Sequence, residues 1–452
     1  MKITFLGATG TVTGSKYLVN SASKFILVDC GLFQGFKQLR LRNWAPLPVN
    51  SKLIDAVILT HAHIDHCGYI PLLVKNGFIG KIYCTSATRD LCAILLPDSG
   101  YLQEEEARYA NKHGYSKHRP ALPLYTEKDA LRSLERFATI DFGQNLNLSN
   151  NLNANLSPSG HILGSAFVLL KDTRKSILFS GDIGRPDDPI MVSPSIIRKV
   201  DYLVIESTYG DKRHDPRDPK IALAEVINRT AKRGGIVVVP AFAVGRAQSL
   251  LYYVHQLKKS KSIPDIPVFL NSPMAANVNH VFHDHLGEHR LTPAQCDEIC
   301  NAARIVNSVE ESKAINERKG PMIVIAASGM ATGGRVLHHL EAFAPDPKNT
   351  ILFVGFQAGG TRGAAMVNGA ESVKIHGKYI PVRAEVRVID NLSAHADYAE
   401  ILDWLGNFDR PPRQTFITHG EPAAADALRH RIEEQLGWSC LVPEYLEEVW
   451  LS

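Results

Sequence analysis

Six consecutive residues, His61-Ala62-His63-Ile64-Asp65-His66, place three imidazoles and a carboxylate directly after the apolar run Ala56-Val57-Ile58-Leu59-Thr60. These are the nitrogen and oxygen donors that Zn²⁺ favours. A strand that ends in a loop can splay such closely spaced side chains toward two neighbouring ions. A continuous helix cannot, because residues two apart do not share a face. A solvated His-rich loop is the competing reading, and three more residues weigh against it. His161 sits between glycines in Ser159-Gly160-His161-Ile162-Leu163-Gly164-Ser165, Asp182 follows a strand-like run in Phe179-Ser180-Gly181-Asp182, and His419 lies in Ile417-Thr418-His419-Gly420-Glu421. Singly, each would be an ordinary polar loop residue; with the six-residue motif they complete a metal-binding set.

These donors need elements to hold them. Short apolar, β-branched runs alternate with helical patterns along nearly the whole chain, which predicts α/β architecture with sheets covered by helices. Strands are expected at Lys24–Cys30, Ala56–Thr60, Lys81–Thr85, Ser176–Ser180, Tyr202–Glu206, Ile236–Pro240, Pro267–Leu270, Met322–Ala326, Thr350–Gly355 and Thr415–Thr418. Helices are expected at Val244–Leu257 and Tyr398–Leu405. Asp29, His61, Asp182, Glu206 and His419 each end an apolar run, and ligand sites in open α/β sheets gather at the carboxyl ends of strands. The Asn-rich stretch Asn145–Asn155 reads as a loop or an edge hairpin.

Composition bounds the rest. The chain has 452 residues, 45% hydrophobic and 21% charged, which excludes a disordered or fibrous protein. At about 150 residues per domain, two or three domains are expected. Lys plus Arg is 50 against 46 for Asp plus Glu, a net charge of +4 that permits a local basic groove without demanding one. There is no apolar run of about 18 residues, so no membrane association is expected. The opening Met1-Lys2-Ile3-Thr4-Phe5-Leu6-Gly7 reads as a first strand rather than an export signal. The seven cysteines are expected to be free thiols in reducing cytoplasm, with Cys296 and Cys300 marking a helix face rather than half of a metal site.

Between Asp182 and His419 lie 236 residues, room for an inserted α/β domain of roughly 100–200 residues. Three groups of polar residues stand in or beside it: Glu206-Ser207-Thr208-Tyr209-Gly210, Ser328-Gly329-Met330-Ala331-Thr332-Gly333-Gly334-Arg335, and Ser393-Ala394-His395-Ala396-Asp397. Ser328, Gly329, Gly333 and Gly334 fall between a strand and an expected helix, where bare backbone N–H groups favour phosphate. Arg335, and Arg246 in Val244-Gly245-Arg246, could add bidentate phosphate contacts. A tight turn in a doubly wound domain is the bland alternative for the glycine loop.

Together these groups resemble the β-CASP nucleases of the metallo-β-lactamase fold, most closely the bacterial and archaeal relatives of the cleavage and polyadenylation endonuclease subunit. The resemblance runs over nearly the whole chain. It implies a four-layer αβ/βα sandwich with an inserted α/β β-CASP clamp domain: residues 1–208 and 379–452 in the sandwich, 209–378 in the insertion. It implies two Zn²⁺ ions, one held by His61, His63 and His161, the other by Asp65, His66 and His419. Asp182 would bridge the ions, and Asp29 would orient a ligand without touching metal. Glu206 matches the family's motif A, His395 its motif B and His419 its motif C. Catalytic roles follow for Asp65, Asp182, Glu206 and His395, the last protonating the leaving oxygen at the scissile phosphate while Glu206 holds its tautomer.

The implied activity is zinc-dependent hydrolysis of RNA, internally or from an end, in RNA processing or decay. A histidine at motif C accompanies RNA enzymes of this family, whereas its DNA-repair branch has an apolar residue there. A small-molecule hydrolase of the same fold, such as a thioesterase or lactamase, would leave Glu206 and His395 unexplained; a DNA nuclease is the other alternative. Asn271 departs from the family, in which Asp is frequent at that position. The N-terminal RNA-binding extension of archaeal members is expected to be missing, so grip on single-stranded RNA would come from the clamp, a homodimer or a partner. His113, His118, His255, His280, His283, His285, His289, His338, His339 and His376 match no metal motif and are expected in surface or core roles.

Overall fold

The computed structural model describes residues 1–114, 116–272 and 274–452, with Ala275 and Ala276 as backbone only; Tyr115 and Pro273 lie outside the described residues. The chain forms two compact units, one of Met1–Arg213 with His395–Ser452 and one of His214–Ala394.

The first unit holds two seven-stranded sheets. One runs in the order Glu448–Trp450, Lys2–Phe5, Tyr17–Ser21, Lys24–Val28, Ala56–Ile58, Lys81–Cys84, Phe137–Thr139. The other runs Cys440–Leu441, Gln414–Thr418, Tyr202–Glu206, Ser176–Phe179, Ala166–Asp172, Leu152–Pro158, Asn145–Ser149. Strand alternation explains the layers. Val204, Phe179 and Phe416 point into the space shared with Phe5, Tyr17, Val28 and Ile58 of the first sheet. Leu203, Ile205 and Ile417 point the other way, onto Ile401 and Leu405 of helix Tyr398–Leu405 and Leu428 and Ile432 of helix Pro422–Leu436. Strands buried on both faces need continuous apolar runs, which is how Tyr202–Glu206 and Thr415–Thr418 read. The result is the metallo-β-lactamase sandwich. Its Asn-rich stretch forms the edge hairpin Asn145–Ser149/Leu152–Pro158.

The second unit, the inserted domain, is built on a six-stranded sheet whose pairs are all parallel. Its order is Arg304–Ile305, Val268–Asn271, Met322–Ala326, Ile236–Pro240, Thr350–Val354, Glu385–Ile389. Parallel neighbours need crossover connections, and the intervening helices supply them. Val238, Val324 and Phe353 pack on Val336 and Leu340 of helix Val336–Phe343. By its contacts this unit takes in residues 379–394, expected in the return segment, through the pairing of Glu385–Ile389 with Thr350–Val354, while 209–213, expected in the insertion, pack with the first unit. The helix expected from Val244 begins at Arg246 and runs to Lys259, since Gly245 takes φ +77°. Cys296 and Cys300 lie on the helix Pro293–Cys300. No helix among the described residues is long and apolar enough to cross a membrane.

Candidate metal centre

The six-residue motif bends where its chemistry changes. His61 and His63 lie in the irregular segment that follows Ala56–Ile58, with His61 Nε2 close to His63 Nδ1. At His63 (φ −62°, ψ 146°) a helical turn begins over Ile64–Cys67 and redirects Asp65 and His66. Close backbone approaches fix both loops. A Cβ on Gly31 would lie 1.5 Å from the Asp65 carbonyl oxygen, and one on Gly184 would lie 2.0 Å from that of Gly160, so both positions require glycine.

Around Asp182 the donors fall into two sets. Its Oδ2 faces Nε2 of His61 at 3.3 Å and of His161 at 3.4 Å, while its Oδ1 faces Nε2 of His66 at 3.2 Å and Nδ1 of His419 at 3.5 Å. Within the first set, His63 Nδ1 lies 3.1 Å from His61 Nε2 and 3.2 Å from His161 Nε2. Within the second, Nε2 of His66 and His419 are 3.1 Å apart, and Asp65 Oδ2 is 3.5 Å from His419 Nε2. Donors around Zn²⁺ at about 2.0–2.1 Å in a tetrahedron stand about 3.3 Å from one another, so these spacings fit such an ion.

Outer partners fix the rings. Asp29 Oδ2 accepts from His66 Nδ1 at 2.8 Å, and Asp29 itself accepts from the Thr60 amide (2.8 Å) and the Thr60 hydroxyl (2.9 Å to Oδ2). Thr60 Oγ1 also lies 3.0 Å from His61 Nδ1. Asp29 and His419 both adopt left-handed backbone, φ 58° and 50°. That conformation is uncommon outside glycine and turns each side chain off the end of its strand.

The electrostatics call for positive charge. Because His66 Nδ1 donates to Asp29, its Nε2 presents a lone pair, yet it faces the Asp182 carboxylate and the His419 ring. Burial alone would lower the His66 pKa, but Asp182 and Asp29 hold it well above the ordinary imidazole value. Asp182 is held well below the carboxylate range against its burial, by His419, His66 and His61. In the first set, burial followed by the neighbouring His61 ring pushes His63 down to about 3. Burial and adjoining imidazoles also lower His61 and His161. Three neutral imidazoles and an ionised carboxylate on one side, and acids demanding a cation on the other, suit a divalent metal pair.

Beside this centre, His395 Nδ1 lies 3.0 Å from Glu206 Oε2 and 3.1 Å from Oε1, while its Nε2 is 3.9 Å from Asp182 Oδ2. Glu206 is buried at the end of its strand, accepting from the Ile183 amide (2.6 Å) and the Thr208 hydroxyl (2.6 Å). Thr208 Oγ1 also lies 3.2 Å from His419 Nδ1. With its own proton on Glu206, the Thr208 oxygen accepts from His419 Nδ1–H, which turns the His419 Nε2 lone pair toward His66. One carboxylate thereby orients two imidazoles. Reading the sequence missed Thr60 and Thr208; their only signal was a hydroxyl one residue before His61 and two after Glu206.

The glycine loop is held by bonds of its own. Ser328 Oγ accepts from the amides of Thr332 (3.0 Å) and Gly333 (3.4 Å), and Gly329 lies against the Phe242 ring. Gly334 takes φ +75° at the start of helix Val336–Phe343. Arg335 donates to Asn271 Oδ1 (2.8 Å) and to the carbonyls of Val306 (3.0 Å) and Asn307. Arg246, buried, donates to the Leu392 carbonyl. Both guanidinium groups, expected on phosphate, thus engage acceptors within their own unit. Asn271 also donates to Ser312 Oγ (2.7 Å) and His339 Nε2 (2.6 Å), bonds that an aspartate could not make.

Comparison with known proteins agrees with this layout. Residues 9–123 match the metallo-beta-lactamase superfamily, 247–366 the Beta-Casp domain, and 379–443 the Zn-dependent metallo-hydrolase RNA specificity domain. Ribonuclease TTHA0252 of Thermus thermophilus is 35% identical, with 95% of each chain covered. Transcription termination factor FttA of Pyrococcus horikoshii is 31% identical over 100% of this chain and 71% of its own length. The factor of the same name from Methanosarcina mazei is 30% identical over 96% and 69%. A solved structure of a protein of unknown function from Enterococcus faecalis V583 superposes with a TM-score of 0.51 at 12% identity, covering 99% of both chains, and bears on the fold alone.

Proposed function

As a member of the β-CASP ribonuclease family of metallo-hydrolases, the chain binds metal and RNA, and we propose that it hydrolyses phosphodiester bonds of single-stranded RNA with two zinc ions. The carrying observation is the division of Asp182, with Oδ2 toward Nε2 of His61 and His161 and Oδ1 toward Nε2 of His66, which itself lies 3.1 Å from His419 Nε2. In this reading His61, His63 and His161 hold one ion, Asp65, His66 and His419 the other, and Asp182 both. When bound, such a pair supplies Lewis acidity, activating a water and neutralising charge on phosphate oxygens.

The chain's own residues do the rest. Asp29 and Thr60 keep the His66 and His61 rings turned toward the ions. Glu206 accepts from His395 Nδ1–H, which leaves His395 Nε2 directed to the side of Asp182 where a scissile phosphate would lie. As the imidazolium, with Nδ1–H still on Glu206, it would give its Nε2 proton to the leaving oxygen and end as the neutral ring. The near full-length similarity to a ribonuclease, with the RNA specificity domain, supports RNA over a small-molecule substrate. The seven free cysteines suit a reducing, cytoplasmic setting.

The test uses purified protein with 5′- and 3′-labelled single-stranded RNA and DNA, with and without chelator. RNA cleavage that chelator stops and zinc restores is expected. Undiminished cleavage in chelator, or lactam or thioester turnover without RNA cleavage, overturns the reading.

A further inference from the structure

A second cluster of metal-type donors lies in the inserted domain, remote in sequence from the centre above. His338 and Glu341 stand three apart on helix Val336–Phe343 and therefore share a face. His376 begins the two-residue turn His376-Gly377 between the strands Ser372–Ile375 and Lys378–Pro381. Both turn residues have positive φ, 47° and 84°, the pairing that closes a tight hairpin. This turn carries the His376 ring onto the helix.

The metrics of the main centre provide an internal ruler. There, ring centroids of His pairs within one donor set stand 4.9, 5.1 and 5.0 Å apart in the first set and 4.8 Å in the second. The rings of His338 and His376 stand 4.7 Å apart, tilted by 33° against 43° for His66 and His419. His376 Nδ1 lies 3.3 Å from Glu341 Oε2, matching the 3.3 Å from His61 Nε2 to Asp182 Oδ2. One ligand atom from each of the three residues lies within 4.8 Å of the other two. A Glu–His ion pair accounts for the 3.3 Å approach, and the His338 ring adds a second imidazole within reach of the same point.

We propose that His338, Glu341 and His376 form a separate binding site for a borderline divalent cation of the Zn²⁺ class, joining the hairpin to the helix. Two imidazoles and one carboxylate are a recognised zinc donor set with a fourth position left for water. His338 is exposed and the other two are half-buried, so the site is open to solvent and the cation exchangeable. Desolvation by the surrounding residues, followed by the adjacent His376 ring, lowers the His338 pKa despite its exposed edge, which favours the neutral, ligating form.

The test titrates full-length protein, its main centre first filled with zinc, with Co²⁺ in competition with a coloured chelator. Wild type should take up one more equivalent than His338→Ala, Glu341→Gln and His376→Asn, the last chosen because Asn tolerates left-handed backbone. Excess Zn²⁺ should also raise the melting temperature of wild type more than that of each variant. Equal uptake by wild type and all three variants, or no uptake beyond the main centre in wild type, overturns the proposal and leaves a plain ion pair. Tightly held zinc, measured separately, reports whether the main centre was disturbed.

Discussion

Two buried polar networks, each built around histidine, differ in whether hydrogen bonds can close them. In the inserted domain, His339 Nδ1 meets Asn316 Oδ1 at 2.6 Å and its Nε2 meets the Asn271 amide nitrogen at 2.6 Å. Burial, followed by His338 and Arg335, lowers the pKa of His339 to about 4. The ring is neutral, with Nδ1–H donating and Nε2 accepting, so both nitrogens are matched by protein groups. In the sandwich, once His66 donates to Asp29 and His419 to Thr208, two imidazole lone pairs face each other and two carboxylates. No arrangement of neutral tautomers satisfies that set, which needs positive charge, from a proton on His66 in the metal-free protein or from a bound cation. The His339 network closes with the protein's own neutral groups, whereas the His66–His419 network needs added positive charge, the property expected of a candidate metal site.

The most severe way to break this contrast is Asp182→Asn. It keeps the shape but removes the charge that both donor sets share. RNA hydrolysis should fall by roughly a thousandfold or more, and elemental analysis should find metal depleted. Full metal content with wild-type cleavage would mean that Asp182 does not bridge. His395→Ala should cost about 100- to 10,000-fold in cleavage rate, the range of a lost proton donor, while metal content stays at wild type. Metal loss in that variant would make His395 a ligand instead.

Smaller effects sharpen the picture. Thr208→Val removes the hydroxyl joining Glu206 to His419 but leaves the β-branched shape. Metal affinity or activity should fall roughly 10- to 100-fold, with recovery in Thr208→Ser. Equal loss in both variants would mark Thr208 as a packing residue. The protonation of His66 gives a further handle. Its pKa is raised in the metal-free protein, so at neutral pH it carries a proton that an incoming cation must expel. Metal affinity should therefore rise with pH, about tenfold per unit for one proton. Calorimetry in buffers of different ionisation enthalpy would detect that proton, and its absence would place His66 outside the ligand set.

What the amino-acid order disclosed follows the same division. Strands such as Tyr202–Glu206, Ile236–Pro240 and Met322–Ala326 were legible to the residue, because burial on both faces makes their centres continuous runs of Val, Ile and Leu. His61 to His66, His161, Asp182 and His419 stand out as a candidate donor set because few other roles call for so many imidazoles at strand ends, and the fold gathers them into two clusters. Thr60 and Thr208 were not, since a hydroxyl beside a strand end has many ordinary uses and only its partners' positions select one. The left-handed backbone of Asp29 and His419 left no trace, both being common residue types at turns. His376 matches no metal motif in the sequence: Glu341 stands 35 positions away, and only the hairpin's path joins them.

Arg335 tests where the boundary between structural and functional residues runs in the inserted domain. Its place after Gly333-Gly334 suggested a phosphate-binding role, but its guanidinium donates to Asn271, Val306 and Asn307, and Asn271 in turn ties Ser312 and His339. Arg335→Ala would strip Asn271 Oδ1 and two carbonyls of a charged donor at once. Unfolding by denaturant should show a loss of about 1–3 kcal/mol, the cost of leaving half-buried acceptors unmet. The two roles separate in RNA binding measured against salt. If the guanidinium grips a phosphate, its removal makes the salt dependence shallower by nearly one counterion, whereas removing a structural pin leaves that slope unchanged. The hydrogen bonds favour the pin, so the expected result is lower stability with an unaltered slope; a flatter slope at wild-type stability would return Arg335 to the RNA.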